Sequence, residues 1–324
     1  MSTDTPTGRN GTDGATGSAG ISPAAAAATA PAERGSASVI HDLGYRGYGG
    51  ARRSSGAIAW SLFLTGLAHM FGIGRTGKTK FRPFALLAAY LIPAMVMVGI
   101  LSFGVMSQLP TRLPDYATQT SILISVFAAA QAPVLFSRDL QHRSIVLYLA
   151  RPLPSRTFAL MRYLSMTTAV WLFMLAPVVL LYLGGLLTGV DPASLHPQLA
   201  VALLTTLIAA AAVSAITGVI SAWTVRPGLA VVASIGVLIV GSGLISLLQS
   251  FSGGDMSPLV SELAGVFSPY TLASGVGYLL DSTVIMLVPP AAAVVKAVYV
   301  AVAALGPVVG VLLIQSRFAK AVAR

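Results

Sequence analysis

The sequence predicts an all-α membrane protein with six transmembrane helices, an N-terminal interfacial amphipathic helix and a cytosolic helix between spans two and three. Three observations carry this expectation. Of 324 residues, 55% are hydrophobic and only 9% charged, against about a quarter charged in an ordinary soluble domain. The mean hydropathy is +0.81. The apolar residues also gather into windows near the ~20 residues that cross a ~30 Å hydrocarbon core as helix. A single water-facing domain cannot bury so much apolar surface, so lipid must be the solvent for most of the chain.

From the N-terminus, residues 1–38 are mostly Thr, Gly, Ala, Ser and Pro with few charges, and Ile21 is the one aliphatic side chain larger than alanine. Such a segment cannot repay the entropy of ordering and reads as a disordered cytosolic tail. Residues 39–83 form a cytosolic segment. Within it, 57–71 places Ile58, Leu62, Phe63, Leu67, Met70 and Phe71 at helical spacing, with Trp60 nearby. Arg75, Lys78, Lys80 and Arg82 come next, a group that anionic lipid attracts, so this helix is expected along the inner membrane surface.

Residues 84–324 form the membrane domain. Its six windows cover 84–106, 117–136, 164–187, 199–223, 229–251 and 296–314, and Pro93, Pro133, Pro177 and Pro307 fall inside four of them. Proline is tolerated in lipid where neighbouring helices satisfy the freed carbonyls. Residues 252–295 contain Gly253-Gly254, Pro258, Pro269 and Pro289-Pro290 between apolar stretches too short to span. They predict one or two short helices at the outer surface.

Orientation is set by the cations, which are retained in the cytosol beside spans. With the N-terminus inside, 18 of the 20 basic residues are cytosolic and only Arg112 and Lys296 lie outside. Both termini are therefore expected in the cytosol. The net charge of +10 reports topology; it lacks the clustered cations and stacking aromatics of a nucleic-acid-binding module.

Little catalytic chemistry is available. There is no cysteine, and His41, His69, His142 and His196 stand in four separate segments, which argues against a metal site. Glu33 and Glu262 are the two glutamates, too few for a paired-glutamate acid/base site. Residues 72–79 read G-I-G-R-T-G-K-T, matching both a phosphate-loop string and a dinucleotide string. Either function needs a buried strand before the loop and a helix after it. The upstream residues are helical in pattern and Pro83 is expected to interrupt the downstream segment, so the string reads as a basic hinge.

The central parts of the six windows carry no Asp, Glu, Lys, Arg or His, whereas ion-driven transport usually needs an ionisable midplane group. Gln131 and scattered Ser and Thr fit helix packing better. An ATP-independent secondary transporter or channel is thereby disfavoured, and a non-transporting membrane scaffold stays open. Any transport energy would come from another polypeptide.

The most polar segment between spans is 137–162, S-R-D-L-Q-H-R-S-I-V-L-Y-L-A-R-P-L-P-S-R-T-F-A-L-M-R. Leu140, Ser144, Leu147 and Tyr148 share one helical face, and Arg151-Pro152 stops the helix, because the residue before proline avoids helical backbone. In this segment the chain resembles the permease subunits of ATP-binding-cassette transporters, specifically the type-two exporter group. The resemblance rests on Asp139, Arg143, Ser144, Leu147, Leu149, Arg151, Pro152, Leu153, Ser155, Arg156 and Arg162. It departs at Gln141-His142 and at Met161, where that group commonly has Arg-Gly and Gly.

The resemblance extends over about residues 40–324 and implies that 137–162 is a coupling loop seated in a separate ATP-binding subunit. Asp139, Arg143, Ser144, Leu147, Tyr148, Arg151, Pro152, Arg156 and Arg162 would make that contact. It implies a multi-pass subunit of the cytoplasmic (inner) membrane, paired with a second permease subunit that is identical or similar. The chain itself would hold no cofactor and hydrolyse nothing; ATP and magnesium would belong to the partner ATPase.

Overall fold

A computed structural model describes residues 54–74, 77–104, 106, 108–141, 154–224, 226–251 and 257–322. The tail expected over 1–38 lies outside them, as does the segment 39–53. All regular structure among the described residues is helical.

The first helix, α1 (Ser55–Met70), starts where the Ser54 side chain accepts the Ala57 N–H. It ends in a turn where Gly72 and Gly74 adopt φ of 71° and 82°, values that only glycine takes without strain. The face predicted to be apolar is turned onto protein. Leu62 and Met70 are buried, and Ile58, Leu67 and Phe71 pack against the main core. Trp60 and Leu64 lie exposed on the opposite side.

The next helix, α2 (Gly77–Ser102), contains both Pro83 and Pro93. Pro83 therefore does not interrupt the chain as the sequence suggested. Near a helix start it removes a single backbone donor, and the freed carbonyl lies close to the exposed end of the helix.

The second predicted span is in pieces: α3 (Tyr116–Gln119), α4 (Ser121–Leu135) and α5 (Ser137–Gln141). At the first break the Thr120 hydroxyl bonds back to the Tyr116 carbonyl, a side-chain bond that competes with the helix ladder. At ~1.5 Å per residue, the 15 residues of α4 fall short of a ~30 Å hydrocarbon core.

The remaining long helices are α6 (Ser155–Leu187), α7 (Pro192–Trp223), α8 (Pro227–Ser250) and α11 (Ala293–Val322), with α9 (Pro258–Ala264) and α10 (Pro269–Leu280) between the last two. Proline sits at the start of α7, α8, α9 and α10, where its absent N–H costs nothing. Among the described residues, five helical stretches are long and apolar enough to cross a membrane: Lys80–Ser102, Ser155–Leu187, Pro192–Trp223, Pro227–Ser250 and Ala293–Lys320. Several outrun their hydropathy windows. The α6 helix begins nine residues before 164 and α11 continues eight beyond 314, because a helix extends into the polar boundary and hydropathy reads only its apolar part.

Of the five long apolar helices, α6 and α7 are the most buried and form the centre. Phe173 of α6 stacks on Tyr90 of α2 at 4.7 Å and on Phe127 of α4 at 4.1 Å. The Tyr116 hydroxyl donates to the Tyr90 carbonyl at 2.7 Å. On the other side of α7, a Cβ at Gly310 would stand 2.6 Å from that of Ala215, so only glycine permits this approach of α11. Close packing through small residues is the usual means of association in lipid, where apolar burial gives no advantage.

The α9 and α10 axes are bent by 114°. The bend is placed by Ser268, whose hydroxyl donates to Ser242 at 3.0 Å. Ser242 lies eight residues, or ~12 Å, inside the Ser250 end of α8. From the bend, α9 leads back to Gln249, whose amide donates to the Ser261 carbonyl at 3.2 Å. Beyond α10, Asp281 meets Arg112 at 3.2 Å. The pair enters and leaves at the same end of the bundle, and its two short helices fall within 252–295, where one or two were expected.

Candidate functional site

The two ends of the bundle carry different chemistry. At one end the chain leaves α5 and re-enters at α6, bracketing the segment that the sequence singles out. Ser137, at the start of α5, is fully buried. Its hydroxyl donates to the Ser221 carbonyl at 2.7 Å and lies 2.8 Å from the Ser221 hydroxyl and 3.1 Å from the Thr224 carbonyl. Phe318 of α11 meets Phe158 of α6 edge-on at 5.5 Å and Phe136 at 6.4 Å. Four parts of the chain thus converge on the two stems of this segment.

Of the nine predicted contact residues, Arg143, Ser144, Leu147, Tyr148, Arg151 and Pro152 lie outside the described residues. Asp139 is placed in α5 by its backbone alone. Arg156 is exposed in the first turns of α6. Arg162 differs from the expectation of a partner-facing residue: it is only 4% exposed, and its guanidinium lies 5.3 Å from the centroid of the Phe158 ring. That cation–π geometry helps to hold a charge inside the bundle. Leu140, assigned to the same face as Leu147, packs against the main core.

The string 72–79 comes after a helix, α1, where a phosphate loop requires a strand, and Gly77 already belongs to α2. Residues 75 and 76 lie outside the described residues.

The opposite end gathers acidic residues that sequence reasoning passed over. Asp115 precedes α3 but does not cap it. Its carboxylate instead accepts the Ile285 N–H at 3.0 Å. Asp281 pairs with Arg112 and accepts the Thr283 N–H at 3.0 Å and the Thr283 hydroxyl. These Thr283 hydrogen bonds hold the Asp281 carboxyl below its ordinary range, helped by Arg112. Asp115 moves the other way because burial penalises its charged form.

Glu262 is buried in α9, and its carboxylate accepts the Ala291 N–H at 3.1 Å, at the approach to α11. No sequence periodicity marks these links. The available signals were the rarity of glutamate and the nearness of Asp115 to Arg112. Beside them, Gln108, Arg112, Ser194 and Gln198 line part of a cleft of ≈ 380 Å³. Among the described residues, no three His, Cys, Asp or Glu side chains converge on a metal position.

Together these features define a multi-pass helical membrane protein. The chain matches no protein-family model and no curated protein.

Proposed function

We propose that the chain is the membrane-spanning permease subunit of an ATP-driven transporter of the ATP-binding-cassette class, in the type-two exporter group, coupled to separate ATPase subunits. The observation that carries the reading is the position of the segment 137–162. The described residues on either side of its R-P-L-bearing string are fastened to the bundle, by Ser137 on one side and by the Phe158–Phe318 contact on the other. A rigid stem on each side is what a loop needs if movement of a docked partner is to reach α6 and α4 without being dissipated.

In this reading the helices 116–141 make the second of six spans, and both termini and 137–162 face the cytosol of the inner membrane. The α1 helix lies at the inner surface with Trp60 toward lipid, and the α9–α10 pair re-enters from the outer face. Two such subunits pair, and ATP-driven closure of the ATPases shifts the spans as rigid bodies, a common form of allosteric change. Asp139, Arg143, Ser144, Leu147, Tyr148, Arg151, Pro152 and Arg156 make the contact, with Arg162 holding the stem.

The test is ATP turnover of the cognate ATPase in liposomes with and without the chain. The chain is expected to change turnover, and Leu147→Ala or Tyr148→Ala to abolish most of that change while the protein stays inserted. Turnover indifferent to the chain and to both variants contradicts the proposal.

A further inference from the structure

Asp115 is a carboxyl group in an unusual position. It is 2% exposed. Its Oδ1 accepts the Ile285 N–H at 3.0 Å, whereas its Oδ2 is buried with no hydrogen-bond partner. The bond to Ile285 joins the turn before α3 to the loop after α10, 170 residues away in sequence. The charged groups acting on it are Arg112, from its own turn, and Asp281, from the end of α10. Arg112 directs Nη2 to Asp281 at 3.2 Å, so two carboxyls share one guanidinium. Asp281 also holds Thr283 and is the better-served anion of the two.

A buried carboxylate with one bare oxygen is costly, and such a group takes up a proton or moves to water. We propose that Asp115 is a proton-binding site whose protonation keeps the loop 281–285 docked against the turn 112–115. Neutral, the carboxyl stays buried and retains Oδ1 for Ile285. Ionised, it is drawn toward water and releases the Ile285 N–H, and the loop 281–285 parts from the turn 112–115.

Burial sets the direction of the pH response. It raises the Asp115 carboxyl above its ordinary value and outweighs the opposing effects of the Ile285 N–H and Arg112. The docked state therefore binds more protons than the open one and is lost as pH rises through the raised value. Asp281 is shifted oppositely, so its titration would loosen the same loop as pH falls. The inference does not depend on the transporter reading, because it uses only groups at this end of the bundle.

The chain has no cysteine and Ser282 is exposed, so Ser282→Cys carries a single nitroxide label. Its mobility is monitored by electron paramagnetic resonance from about pH 3 to 8, a range that brackets the ordinary aspartate value, with the full chain in lipid nanodiscs. The expected result is mobility rising with pH, with a midpoint above the ordinary aspartate value. Asp115→Asn, which keeps an Oδ1 acceptor and carries no charge, should remove the transition and leave the label in its low-pH state.

Asp281→Asn gives a second, independent reading. The Asp281 charge raises the Asp115 value, so its removal should shift the midpoint downward. A parent whose mobility does not rise with pH, a rise with its midpoint at or below the ordinary aspartate value, a rise that persists in Asp115→Asn, or a midpoint unmoved in Asp281→Asn would each overturn the proposal; loosening toward the acid end belongs to Asp281 and has the opposite sign.

Discussion

The Tyr299 hydroxyl donates to the main-chain carbonyl of Glu262 at 2.9 Å, joining the long last helix to the first limb of the α9–α10 pair. The ring is held between two glycines. A Cβ at Gly265 would lie 2.1 Å from the Tyr299 hydroxyl oxygen, and one at Gly275 2.2 Å from its ring. One aromatic side chain therefore fixes both limbs of the bent pair to α11, while the Glu262 carboxylate secures the approach to that helix through Ala291.

Gly275→Ala should force the Tyr299 ring out of its slot and cost about 1–3 kcal/mol, as overpacking a tight core does. Tyr299→Phe keeps the ring and leaves the Glu262 carbonyl without its donor, a loss of about 1–3 kcal/mol for a buried group. Thermal unfolding in detergent measures both. A melting temperature equal to the parent's in both variants contradicts the wedge.

Single cysteines test the orientation. Ser194 precedes most of α7 and Ser316 lies near the end of α11, and both are exposed. In sealed cells or oriented vesicles, an impermeant maleimide should label Ser194→Cys from outside and Ser316→Cys only after the cytosolic face is opened. The reverse pattern contradicts cytosolic termini.

Lys78→Ala addresses the glycine-rich string. With a helix before Gly72 and the α2 helix already begun at Gly77, backbone N–H groups have no strand-loop-helix frame from which to converge on phosphate. The purified chain should show no ATP binding, and the variant should leave ATP turnover of the assembled complex unchanged. Nucleotide affinity that disappears with Lys78 contradicts this reading.

Much of the helical plan was legible because it is written in contiguous apolar residues. Pro93, Pro133, Pro177 and Pro307 all lie inside helices, as the windows required. The break at Thr120 was not legible, since a single hydroxyl bonding back to Tyr116 leaves hydropathy unchanged. Nor were the Asp115–Ile285 and Glu262–Ala291 links. They are side chain to backbone bonds across distant segments, made only once tertiary packing brings the partners together. Arg162 was read as loop because the apolar window opens only at residue 164, yet α6 starts at Ser155 and carries it inside.

The central claim is that 137–162 receives an ATPase, and its most direct measurement is capture of that subunit by the full chain from membranes in which both are expressed. Interface energy concentrates in a few anchors, each worth about 2 kcal/mol or more, which corresponds to roughly thirty-fold in affinity. The parent should co-purify with an ATP-binding-cassette ATPase, and Asp139→Arg or Arg143→Glu should reduce the amount captured by about that factor while insertion of the chain is unchanged. Equal capture by the parent and both variants, or no ATPase captured by the inserted parent, would contradict the account.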